Sequence, residues 1–220
     1  MAKKMGQLVS IEGVEGAGKS TLAQFLVDYL QHLGVPVLLT REPGGTPLAE
    51  EIRHLVLREH TEKLWPKTEA LLMFASRLQH LENKILPALE AGTWVISDRF
   101  VDASYAYQGA GRALGFASIQ ALHHWSMPTY APALTFLLDI PLQLSAERLQ
   151  QRTHRDRIEQ EQHDFFERIR AMYSVLAAKE PQRFCVLDAT QEKSVVQRMA
   201  QHRLHTVLQD AGIAVPHVLV

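Results

Sequence analysis

An octapeptide near the N-terminus, Gly13-Val14-Glu15-Gly16-Ala17-Gly18-Lys19-Ser20, narrows the choice of folds more than anything else in the sequence. It satisfies G-x-x-x-x-G-K-[ST] and lies between an apolar run at 7–12 and a helical pattern that begins at Lys19. That strand–loop–helix setting is the one in which such a loop wraps a phosphate. Its glycines let backbone N–H groups close on an anion, and the following helix turns its positive dipole end toward it. Lys19 adds a mobile cation, and Ser20 a hydroxyl suited to Mg²⁺.

The rest of the chain agrees with this start. Apolar, β-forming runs recur at 7–12, 35–40, 93–98, 134–139 and 184–188. They are nearly continuous rather than alternating, as expected of parallel strands covered by helices on both faces. Between them the spacing predicts helices over 19–33, 46–59, 67–80, 82–91, 116–127, 142–151, 160–179 and 193–209. Residues 109–115 read as a glycine-rich loop and 152–157 as a polar, cationic turn between two helices; the tail from Gly212 is apolar. The expected class is α/β, a parallel sheet flanked by helices.

With 220 residues, 46% hydrophobic and 21% charged, the chain suits one well-buried domain, with at most a small appendage. A formal net charge of -1 argues against a dedicated nucleic-acid binder. The lone Cys185 excludes an internal disulfide and a cysteine zinc site, and reads as a packed small hydrophobe in a reducing compartment. Lys3 and Lys4 precede an apolar run too short for export, and no stretch approaches the roughly 18 apolar residues of a membrane helix. A cytoplasmic, soluble chain without membrane partners is expected. The histidines lack zinc spacing: His123 and His124 are adjacent, and His202 and His205 have no nearby cysteine or acidic ligand. Glu159, Glu161 and Glu167 read as a charged helix face and its cap region.

A phosphate loop does not by itself name a reaction. A second element stands at the end of the third strand, where Asp98-Arg99 places a carboxylate and a guanidinium at the edge on which ligands of such sheets collect. Asp98 suits a metal or its water shell, and Arg99 a phosphate.

These residues resemble the bacterial thymidylate kinase family. The likeness runs over nearly the whole chain. It takes in residues 11–20, Thr40-Arg41-Glu42-Pro43-Gly44-Gly45-Thr46, Asp98-Arg99, Ala106-Tyr107-Gln108-Gly109 and Asp156-Arg157-Ile158-Glu159. It implies a P-loop nucleoside-monophosphate-kinase fold: a single domain over 1–220, with a five-stranded parallel sheet and a short helical lid near 148–160. It implies a homodimer that phosphorylates dTMP to dTDP with ATP and Mg²⁺. Donor contacts then fall on Gly13, Glu15, Gly16, Ala17, Gly18, Lys19, Ser20, Thr21 and Arg148, with Ser20 and Asp98 toward the metal. Acceptor contacts fall on Glu15, Glu42, Pro43, Arg53, Arg77, Arg99, Ser104, Tyr107 and Gln108. Glu15 would take the sugar 3′-hydroxyl, Tyr107 would pack on the deoxyribose, and Gln108 would reach toward the base. The family stacks an aromatic on thymine four residues before the arginine. Here that position is Met73, with Phe74 beside it, and both are candidates. Gly16 replaces an arginine found in part of the family, so the resemblance is to the branch with its catalytic arginine in the lid. Arg152 is that arginine by alignment, acting with Lys19 and Arg99. The rivals are a kinase of another monophosphate, such as UMP, CMP or dUMP, and a regulatory P-loop switch, against which the 42–45 turn and the arginine-rich lid argue.

Overall fold

The computed structural model describes residues 5–127, 130–150 and 156–215. Five parallel strands form one sheet: β1 (Leu8–Glu12), β2 (Val37–Arg41), β3 (Trp94–Asp98), β4 (Leu134–Asp139) and β5 (Phe184–Asp188). Their order across the sheet is β2-β3-β1-β4-β5. The central β1 is buried along its whole length, so its polar members need internal partners. Ser10 Oγ accordingly shares a 2.8 Å hydrogen bond with Thr135 Oγ1 on the neighbouring strand.

Helix α1 (Lys19–His32) places Leu22, Ala23, Leu26, Val27 and Leu30 on the sheet at intervals that follow one helical face. Helix α2 (Pro47–Leu57) starts where Thr46 accepts the Ala49 N–H and proline occupies the first turn. Helix α3 (Pro66–His80) runs on through a wide π stretch (Leu81–Ile85) into α4 (Leu86–Glu90). The chain then forms α6 (Phe116–Ser126), α7 (Leu142–Gln150), α8 (His163–Lys179) and α9 (Lys193–Asp210).

Two expectations are corrected. The segment after β3 is helical: α5 (Val101–Ser104) continues as a π helix (Tyr105–Gly111), so the glycines at 109 and 111 do not mark a loop. Gly111 is there for contact, since a Cβ on it would lie 2.7 Å from the Phe165 ring of α8. Helix α8 starts at His163 rather than at 160, and Glu161, in its cap region, is not left to solvent but accepts from Arg112 Nη1 at 2.5 Å. Cys185 is half-buried against the core, and burial raises its thiol pKa, as suits an unreactive side chain. No helix among the described residues is long and apolar enough to cross a membrane.

Candidate active site

The carboxyl ends of β1, β2 and β3 open on one cleft of about 290 Å³. It is lined by Glu15, Gly16, Gly18, Lys19, Ser20 and Thr21 from the phosphate loop and by Asp98, Arg99, Ala103, Tyr107 and Gln108 after β3. Arg41, Glu42, Pro43, Arg53, Leu57 and Met73 close a second side, and Asp156, Ile158 and Glu159 a third.

The loop keeps its shape because its glycines sit where side chains cannot. A Cβ on Gly13 would meet the Leu138 carbonyl at 2.5 Å, and one on Gly16 the Ser145 carbonyl at 2.9 Å. Lys19 is buried, and its ammonium donates to the Val14 carbonyl at 2.9 Å. Burial, and then repulsion from Arg99, lowers its pKa to about 8. Ser20 Oγ donates to Asp98 Oδ2 at 2.9 Å. A hydroxyl and a carboxylate this close are the hard oxygen donors that Mg²⁺ takes when phosphates and water supply the rest of its shell. The described residues hold no group of three His, Cys, Asp or Glu that would bind a metal unaided.

Arg99 is the hub. It adopts φ 75°, a left-handed conformation uncommon outside glycine, with its N–H on the Ile11 carbonyl at 3.0 Å. Its guanidinium donates to Glu15 Oε1 at 2.7 Å and to the Gly13 carbonyl at 2.9 Å, and lies 4.7 Å from the Tyr107 ring centroid. The Tyr107 hydroxyl also donates to Glu15, at 2.7 Å to one oxygen and 2.8 Å to the other. Burial pushes the phenol pKa well above its usual value and keeps it a donor. Glu15 thus joins the phosphate loop to the segment after β3. Behind them Glu12 accepts from Tyr173 and from the Phe100 N–H, and burial followed by the Asp102 charge raises its pKa to about 8.

On the opposite wall Arg53 donates to the Pro43 carbonyl at 2.9 Å, so it is tethered at the cleft rather than free in solvent. Glu42 is buried between Arg77 Nε at 2.6 Å and His80 Nδ1 at 3.3 Å. Arg77 also donates to Ser104 Oγ at 2.8 Å and to the Phe100 carbonyl at 3.1 Å. Arg77, Ser104 and Phe74 therefore stand one layer behind the cleft wall; the Arg77 guanidinium lies 5.2 Å from the Phe74 ring centroid. Of the two stacking candidates, Met73 is the one that lines the cleft.

Arg148 donates to the Gly16 and Ala189 carbonyls, both at 3.2 Å. It lines a second cavity of about 240 Å³ with Ala17, Gly18, Thr21, Gln191 and Lys193, on the outer side of the loop. Arg152 lies outside the described residues. Beyond it, the Asp156 carboxylate accepts the Ile158 and Glu159 N–H groups, both at 2.9 Å, and fixes the turn at the cleft.

Sequence reasoning gave no role to Glu69, which is buried and accepts from Gln108, Arg112 and Arg157. The available signal was spacing: Glu69, Met73 and Arg77 recur every fourth residue on one face of α3. His80, three residues on, joins them by its bond to Thr40 Oγ1 at 2.7 Å.

A profile of the family described as Thymidylate kinase matches residues 11–200. The thymidylate kinase of Vesicomyosocius okutanii is 48% identical over 186 residues, covering 84% of this chain and 91% of its own. That of Neisseria meningitidis serogroup C is 47% identical over 183 residues, covering 83% and 88%. The crystal structure of thymidylate kinase from Ehrlichia chaffeensis superimposes with a TM-score of 0.75 at 30% identity, over 91% of this chain and 99% of that one.

Proposed function

This chain belongs to the thymidylate kinase family, and from that membership and the geometry of its cleft we infer that it transfers the γ-phosphoryl group of ATP to dTMP. The products are dTDP and ADP. The observation that carries the reading is Glu15. A carboxylate inside an anion-binding loop is out of place unless it serves a second ligand, and here it is held by Arg99 and Tyr107 from across the cleft. Donor and acceptor sides meet at that one side chain.

Phosphoryl transfer asks the protein mainly for position and charge. Lys19, with the loop backbone, holds the donor phosphates, and Arg148, Ala17 and Thr21 flank the cavity that suits the adenosine end. Ser20 and Asp98 would hold Mg²⁺, which when bound neutralises charge on the donor phosphates. Arg99 and Arg53 face the acceptor phosphate, whose oxygen is already a competent nucleophile and needs no base. Glu15 accepts from the sugar 3′-hydroxyl, Tyr107 closes the space beside the sugar, and Met73 and Pro43 bound the base. Arg77 and Ser104 act from behind this wall, and Glu42 anchors Arg77. We assign the segment near 148–160 as a lid on a single domain, closing Arg152 onto the transferred group and excluding water.

We propose a homodimer, supported by exposed apolar side chains on three helices. Leu48 and Leu55 of α2, Leu71 of α3 and Trp125 of α6 are exposed, and α3 packs on both α2 and α6. A second copy is the occupant we assign to these apolar side chains. A cytoplasmic location accords with the lone thiol, Cys185, which cannot form an internal disulfide.

The test is ADP release with MgATP against dTMP, dUMP, UMP, CMP, AMP and GMP, with arms lacking acceptor or Mg²⁺. Preference for dTMP, absent without Mg²⁺, is expected. Acceptor-independent hydrolysis or a preferred ribonucleotide would overturn the assignment.

A further inference from the structure

Gln108 is wholly buried, borders the cleft, and has one amide end satisfied and the other not. Its Nε2 donates to Glu69 Oε1 at 2.9 Å. Its Oε1 has no hydrogen-bond partner among the described residues. A buried acceptor left open by the protein at the wall of a cleft is costly unless a ligand or a water completes it.

The orientation of that amide is dictated chemically. Glu69 accepts Arg112 Nε at 3.2 and 3.1 Å on its two oxygens and an Arg157 terminal nitrogen at 2.6 Å, all from cationic donors. Burial opposes its ionisation, but Arg112, Gln108 and Arg157 outweigh it and hold the carboxyl below its usual range. An ionised carboxylate only accepts, so Gln108 must turn its NH₂ to Glu69 and its oxygen away. Met73, Ala103 and Pro43 give the adjoining cleft wall apolar surfaces that offer no competing donor.

We propose that Glu69 is a positioning residue: it locks the Gln108 amide with its oxygen toward the cleft, so that the site selects a pyrimidine whose ring N3 carries a hydrogen. The inference rests on the dTMP kinase reading above. A thymine or uracil ring presents N3–H to the open oxygen, whereas a cytosine ring presents an acceptor and leaves two acceptors facing each other. In Glu69→Gln the partner can donate or accept, so Gln108 is free to turn over and the selection weakens. Arg77 is held by Glu42, not by Glu69, and is not touched by this change.

The probe is 5-methyl-dCMP, which has the shape of dTMP with the donor and acceptor edge inverted. Affinity by calorimetry without ATP and kcat/KM with MgATP are both compared with dTMP. The wild-type chain should reject the probe by at least about a hundredfold, and Glu69→Gln should narrow that ratio to about tenfold or less. Arg112→Met removes a cation from the same carboxylate while keeping the acceptor, and should leave the ratio within about threefold of wild type if the lock and not general loosening is responsible. An unchanged ratio in Glu69→Gln, or an equal narrowing in Arg112→Met, overturns the proposal. The lock is also read in the wild-type chain alone. The Gln108 side-chain amide protons, assigned by their loss in Gln108→Met, should exchange at least about a hundredfold slower than those of a free amide. Exchange at the solvent rate overturns the proposal even if Glu69→Gln fails to fold. A wild-type chain that does not phosphorylate dTMP overturns instead the reading on which this rests.

Discussion

Raising the pH should unload the phosphate cradle of the ligand-free chain. Lys19 is buried with Arg99 nearby, and its pKa falls from 10.5 to about 8 although Asp98, Glu15 and Glu12 pull the other way. The ammonium is therefore about nine-tenths formed at pH 7 and about one-tenth formed at pH 9. Donor phosphates bind the charged form and raise its pKa, so the complex holds more protons than the free chain, and affinity must fall as pH rises. The MgATP dissociation constant should grow about tenfold from pH 7 to pH 9, about 1.4 kcal/mol. At pH 8 binding should take up about half a proton per nucleotide. Titration calorimetry at constant ionic strength, in two buffers of different ionisation enthalpy, reads both quantities. Glu12, also near 8, titrates in the same window, so Lys19→Met is the control. It should bind weakly at pH 7 and nearly independently of pH, any residual slope being that of Glu12. A wild-type dissociation constant that is flat from pH 7 to 9, or proton release on binding, would refute the reasoning.

Other perturbations test separate parts of the structure. Tyr107→Ala opens the space beside Glu15 and should lower the dUMP to UMP ratio of kcat/KM by about tenfold or more; an unchanged ratio removes the steric role. Gly45→Ala combines φ +93° with a Cβ 2.4 Å from His80 Nε2 and 2.9 Å from Thr40 Oγ1, whereas Gly34→Ala at φ +71° meets nothing within 4 Å. Denaturant titration should show Gly34→Ala costing about 1 kcal/mol and Gly45→Ala at least about 2 kcal/mol more, and equal losses would contradict the packing argument. Arg183→Met strands Asp102, which is buried and held at 2.6 Å. It should cost about 3–5 kcal/mol, largely recovered by adding Asp102→Asn, and no recovery would show that the charge is not the cause.

What could be read from the sequence depended on whether the information was local. The phosphate loop and Asp98-Arg99 are contiguous, and β4 and β5 fall where their apolar runs predict. Strand β2 starts two residues later than its apolar run because the Val35 N–H still closes the end of α1, on the Leu30 carbonyl at 2.9 Å. The helix at 101–111 was hidden by its glycines, which local propensity counts against a helix and which the packing explains: Gly111 lies against Phe165 of α8, and a Cβ on Gly109 would come within 3.3 Å of Ile119 of α6. Glu69 was hidden for the opposite reason. Its partners lie 39, 43 and 88 residues away in sequence, and the local signal was no more than its spacing from Met73 and Arg77 on one face of α3.

Arg99 is already occupied before any monophosphate arrives, by the Glu15 carboxylate and the Gly13 carbonyl. For an acceptor phosphate bound here as proposed, the incoming anion must share or take over a guanidinium already engaged by a carboxylate held in place by the fold. Such a contest is decided by charge density. It favours a phosphate dianion over a carboxylate or a singly charged ester of the same size. The guanidinium that would steer the acceptor thereby also filters it, favouring anions of higher charge than the one it already holds.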